Sequence, residues 1–195
     1  MVTANEFVSY IDDLVEDFNK VQAMMLSEEP STAQSIFTHL TKILLLTCSS
    51  CYEQRLQNAY NEYAQREAER YADKPHNFDI YKDKRDNSVY QKFSFGRIES
   101  PDDNNQLPEI KNLLQPLKFF GEKFRDKILS EIKDNNELEN AAKAFQEIFA
   151  IRNLLAHQTF IELNSSSIRG KSFMDIKRMH DDAIKFVDYL IAKFT

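Results

Sequence analysis

Three side chains stand out in the stretch 149-FAIRNLLAHQTF-160: Arg152, Asn153 and His157. They are costly to bury without partners, yet they interrupt a run of apolar residues built for a helix. Each brings its own chemistry. Arginine stays protonated and presents a planar donor fork to phosphate. Histidine, with a reference pKa of about 6.5, gives or takes a proton near neutral pH. Asparagine can orient either group, or a bound molecule, by hydrogen bonding. On a helix Arg152 and His157 are five positions apart and so about 140° apart around the axis, which makes one chain poorly suited to focus both on one atom. Two copies related by a twofold axis could set two arginines and two histidines around a shared cleft. Ile151, Leu154 and Leu155 would then divide between holding the helix to the core and lining the contact between copies.

Other candidates for chemistry are weaker. The pair in 48-CSSC-51 has the CxxC spacing of a redox or half-zinc motif. It lies in a long helical pattern without a strand before it, and His39, His76, His157 and His180 lie far from it with no metal-like spacing. Positions three apart share a helix face, so Cys48 and Cys51 read as small core thiols. His39 and His180 fall on or near apolar faces and read as core or rim residues, and His76 beside Pro75 reads as exposed. None of them is nominated. Residues 73–107 interleave Lys82, Lys84, Arg85, Lys92 and Arg97 with Phe78, Tyr81, Tyr90, Phe93 and Phe95. That mixture suits a grip on single-stranded RNA by phosphate pairing and base stacking. The preferred reading is that the aromatics pin the segment to the helices.

The elements that must position these groups read as helices. Over 3–26, Phe7, Ile11, Leu14, Val15, Phe18, Val21 and Met25 recur at helical steps, with acids on the other face and Thr3–Glu6 as a capping box. Pro30 marks a break in 27-SEEPSTAQ-34, where Ser31 and Gln34 offer a second box. From about 32 to 72 there is no Gly or Pro, and Ile36, Leu40, Ile43, Leu44, Thr47, Cys51 and Leu56 are expected on one side. Its polar, tyrosine-bearing second half either extends beyond the core or is covered by the loop after it. Residues 73–107 show no sustained period, and a connection this long is more often functional or mobile than filler.

Pro108 and Glu109 suit the first turn of a third helix, running to about 133, with Pro116 and Gly121 positioned to kink or split it. The loop 134-DNNE-137 caps a fourth helix that leads into the opening motif. After it, 158-QTFIEL-163 has short strand-like alternation and 164-NSSSIRGKS-172 is a loop. Ser172 and Asp175 start a last amphipathic helix. The expected architecture is an all-α bundle of about five helices over one domain, 1–195, with 73–107 inserted between helices two and three.

Composition agrees with this. The chain has 195 residues, 42% of them hydrophobic and 29% charged, with 3 Gly and 5 Pro, too few for a turn-rich β architecture. The net charge of -6 argues against nucleic-acid binding through an overall positive field. The charge is uneven: residues 1–62 carry nine acids and three bases, 63–133 thirteen and fourteen, and 134–195 nine and eight. The middle third could show a polyanion a locally basic face, although mixed charge more simply makes a solvated surface. The first 20 residues have no basic stretch ahead of an apolar one, and the longest apolar run is 43-ILLL-46. The expectation is a cytoplasmic protein with no membrane segment.

The segment 152-RNLLAH-157 resembles the R-x4-6-H signature of the HEPN superfamily, in which a polar residue commonly follows the arginine. An apolar helix carries the motif, a helical hairpin precedes it and a final amphipathic helix follows. The stretches 44-LLLTCSSCYEQRL-56 and 93-FSFGR-97 are similar to the RiboL-PSP and related prokaryotic defence families. One departure is Gln158, where related proteins often have Gly. The resemblance implies a homodimeric, metal-independent endoribonuclease that needs no cofactor and leaves 2',3'-cyclic phosphate ends. It implies catalytic roles for Arg152, Asn153 and His157, a function as a toxin or anti-phage effector, and a nucleotidyltransferase-type antitoxin as a fitting partner. It also allows a noncatalytic interaction or nucleotide- or RNA-binding module, since inactive HEPN domains exist.

Overall fold

The computed structural model describes residues 4–25, 30–72, 109–157 and 170–195, and these are helical almost throughout, with no strand among them. In chain order they form α1 (Ala4–Met25), α2 (Pro30–Ala72), α3 (Ile110–Leu113), a 3-10 segment (Gln115–Phe120), α4 (Glu122–Lys133), α5 (Asn136–His157) and α6 (Phe173–Phe194). The all-α architecture is as expected. Thr3, the inserted segment 73–107 and the strand-like 158–163 lie outside the described residues.

Local chemistry accounts for the helix boundaries. Pro30 is the first residue of α2, where its missing N–H costs nothing. The helix thus starts ahead of the expected 32 and takes Ser31 and Gln34 into its first turns. The expected third helix is indeed divided. Pro116 sits at the start of the 3-10 segment, and Gly121 then adopts φ 107°, a backbone that side-chain-bearing residues rarely take. Asn135 caps α5: its Oδ1 accepts from the amides of Glu137 at 3.0 Å and Leu138 at 3.2 Å. Ser172 and Asp175 cap α6 reciprocally, with Asp175 N donating to Ser172 Oγ at 3.2 Å and Ser172 N donating to Asp175 Oδ2 at 2.9 Å.

The long helix α2, about 64 Å at the usual rise, is the spine. It packs against α6, α1 and α5, and α5 packs in turn along α6. Leu44, Leu45, Cys48, Tyr52, Leu56 and Tyr60 are buried along it. They meet Phe145 and Phe149 from α5 and Phe186, Leu190 and Phe194 from α6 in one core.

This buried stripe agrees with the expected one at Leu44, Cys51 and Leu56 and departs from it elsewhere. Ile43 is exposed and Thr47 only half-buried, whereas Leu45, Cys48 and Tyr52 are inside. Four consecutive apolar residues, 43–46, cover the whole circumference of a helix, so they leave its phase undetermined. The second half of α2 is covered, but by elements beyond the inserted segment: Tyr63 lies 4.9 Å from the Phe120 ring and 5.7 Å from that of Phe194. Arg66 donates to the terminal carbonyl of Phe194, satisfying an acceptor that the end of α6 would otherwise leave open.

Candidate functional site

Helix α5 enters the core through Phe145, Ile148, Phe149, Ala150 and Ile151, all fully buried. This fixes its rotation and therefore the directions of the residues that follow. Asn153 is buried at 7% exposure, while Arg152 keeps 27% of its side chain exposed. Leu154 and Leu155 are half-buried. Of the two polar residues, Arg152 therefore keeps an open surface, whereas Asn153 faces the interior. Its amide is accommodated inside the chain, because Ile151 and Phe149 turn that part of the helix inward.

The arginine is held at both ends of its fork. Nη1 donates to Asn153 Oδ1 at 3.2 Å, and Nη2 donates to Glu53 Oε2 on α2 at 3.4 Å. The guanidinium thus bridges two helices at the edge of the core, with part of its surface open to solvent. His157 is the last residue of α5, five positions beyond Arg152 on a continuous helix. That places its backbone about 7.5 Å further along the axis and about 140° around it; its side chain lies outside the described residues.

Sequence reasoning did not nominate Glu53. A signal was present: between Glu29 and Glu62 it is the single acidic residue of the chain, so an acid on that part of α2 is exceptional. The contact itself spans 99 positions and could not be read from local spacing.

Beside it, Tyr52 points to α6. Its hydroxyl lies 2.6 Å from His180 Nδ1, and the two rings are parallel at 5.8 Å between centroids. Burial pushes the imidazole down to about 4, and burial also raises the phenol well above its ordinary value, so both are neutral. His180 is the satisfied core histidine that its apolar face suggests, whereas His39 is exposed. Cys48 and Cys51 are buried free thiols, each pushed up to about 12 chiefly by desolvation. They are core residues and not a reactive pair. Among the described residues no group of three or more His, Cys, Asp or Glu side chains gathers as metal ligands would.

With this arrangement established, the comparison with known families is decisive. The model of the RiboL-PSP-HEPN family matches residues 5–195. The chain belongs to this HEPN family. The match runs from α1 to the end of α6 and takes in the segment that carries Arg152, Asn153 and His157. No curated protein and no solved structure matches the chain. Membership in a HEPN family suggests ribonuclease function and RNA binding. Among the described residues no helix is long and apolar enough to cross a membrane.

Proposed function

We propose that the protein is a metal-independent endoribonuclease that acts as a homodimer, with Arg152, Asn153 and His157 as its site. The observation that carries the reading is the part-exposed Arg152 fork, oriented by Asn153 and lying on the same continuous helix as His157. Such a fork is suited to hold the nonbridging oxygens of a phosphodiester and to stabilise the charge they gain. The RNA 2'-oxygen loses its proton and bonds to phosphorus, the bond to the 5'-oxygen breaks, and that oxygen takes up a proton. The products carry 2',3'-cyclic phosphate and 5'-hydroxyl ends, and DNA has no nucleophile for this route. His157 serves the proton transfers. Because one chain sets Arg152 and His157 about 140° apart, the cleft is completed by a second copy across a twofold axis.

The biological role that fits is a toxin or anti-phage defence effector. A nucleotidyltransferase-type antitoxin would be a masking partner. The second reading, a noncatalytic RNA- or nucleotide-binding module, draws on one observation: Arg152 already has an acid beside it, in Glu53. Incubation of total RNA in EDTA with wild type, His157→Ala and Arg152→Ala separates the two. Cleavage by the wild type alone is the expected result. Equal cleavage by all three would assign the activity to a contaminant, and cleavage by none would favour the binding module. A solution mass equal to one chain at micromolar concentration would remove the composite cleft.

A further inference from the structure

Arg152 is set between two acceptors that come from different helices, and their arrangement gives Glu53 a role. Asn153 is fixed by burial on α5 and takes Nη1, while Glu53 comes from α2 and takes Nη2. Two partners on two different terminal nitrogens define the plane of the guanidinium. One alone would leave it free to swing about the long side chain. A guanidinium carries five N–H donors, and with two engaged the other three have no further partner among the described residues. They remain to meet an anion.

The pair is also a poor device for stability. Both side chains are more than a quarter exposed, and the contact is 3.4 Å long. Pairs of this kind contribute between about 0 and 1 kcal/mol. The neighbouring interhelical pair, Arg55 with Asp188 at 2.8 Å, is shorter and joins α2 to α6.

We propose that Glu53 is a positioning residue of the candidate site: its carboxylate orients the Arg152 guanidinium from α2, so that the remaining donors face the scissile phosphate. The proposal rests on the ribonuclease reading. It adds a fourth residue, from a helix that the Arg-x4-His spacing does not include. The phosphate adds to the arginine and does not displace Glu53, which makes the acid a support for the chemical step and not a competitor for substrate.

The full-length protein is assayed on random-sequence single-stranded RNA, with kcat and KM measured separately. Glu53→Ala is expected to lower kcat about 10- to 100-fold, as for a misplaced catalytic group, with KM changed no more than about threefold. Glu53→Gln keeps an acceptor for Nη2 and restores most of the loss. Glu53→Ala in an Arg152→Ala background costs nothing more, because the group it orients is absent. Wild-type kcat in Glu53→Ala, full additivity with Arg152→Ala, or a fall in KM at unchanged kcat would each overturn the proposal while leaving the ribonuclease reading in place. If the wild type cuts no RNA, the ribonuclease reading fails separately, and nitrogen-15 NMR of the Arg152 guanidinium still tests Glu53. Hindered rotation in the wild type that is released in Glu53→Ala supports positioning, and identical spectra overturn it.

Discussion

Tyr52 and His180 meet through a 2.6 Å hydrogen bond between the phenol and Nδ1, inside a core where neither can carry charge cheaply. Desolvation dominates the imidazole. Asp181 and Asp12 raise its pKa, Lys177 and Arg55 lower it, and the result is about 4 against 6.5 in the unfolded chain. The unfolded state therefore binds the proton first as pH falls, and stability is lost progressively from about pH 6.5 down to about 4. The total is on the order of 3 kcal/mol by the usual conversion of pKa shift to free energy. Chemical denaturation between these pH values should show the slope, and His180→Gln should flatten it. The half-buried carboxylates Glu131 and Asp175 are shifted downward, chiefly by side-chain hydrogen bonds from Lys193 and Ser172 respectively, so their contributions are lost at lower pH.

Cys48 and Cys51 should behave as core atoms. Burial raises both thiols to about 12, which leaves almost no thiolate at mildly alkaline pH. Ellman's reagent is expected to label neither within minutes in the native protein and both at once in guanidinium chloride. Rapid native labelling of either would contradict their place in the core.

Gly121 separates the 3-10 segment from α4 at φ 107°, and a Cβ built there would touch nothing within 4 Å. The cost of Gly121→Ala is thus conformational and not steric, about 1–3 kcal/mol for a residue forced into a sparsely populated region. A lowered denaturation midpoint with an unchanged m-value is the expected signature. An unchanged midpoint would mean that α3 and α4 join differently.

Much of this architecture is legible in the sequence because local chemistry dictates it. Asn135, Ser172 with Asp175, and Gly121 each act within four residues of their own position, so caps and breaks were visible. The phase of α2 was not, because 43-ILLL-46 is apolar all round and only the packing of α5 and α6 chooses Leu44 and Leu45 over Ile43 and Leu46. The arginine and asparagine of the candidate site were visible as types. Their directions were not, since the burial of Asn153 depends on how deeply Phe149 and Ile151 anchor α5, and Glu53 reaches Arg152 from another helix.

Asn153 carries a structural burden as well as its proposed role. At 7% exposure, with Oδ1 accepting from Arg152, its replacement by Ala leaves a buried gap and removes one acceptor from the guanidinium. A loss of about 1–3 kcal/mol is expected from the broken buried contact. Asn153→Asp restores the acceptor but adds a negative charge beside the fork. It should weaken RNA binding in a fluorescence anisotropy titration, and unchanged affinity would show that the donors of Arg152 do not meet phosphate.

Arg152→Lys tests the geometry of the fork itself. A lysine keeps the charge but offers one ammonium, which cannot hold Asn153, Glu53 and a phosphate in fixed directions together. If the site stabilises a phosphoryl transition state through a planar, preoriented donor set, Arg152→Lys should reduce cleavage on the order of 100-fold, the scale of losing one preorganised donor. Arg152→Ala should reduce it further. The fold should survive both, because Arg152 sits at the edge of the core and its ion pair with Glu53 is partly exposed; matching circular dichroism melts would check this. Wild-type rates from Arg152→Lys would mean that a positive charge alone suffices, and the bridging of α2 and α5 by the guanidinium would then have no bearing on the chemistry.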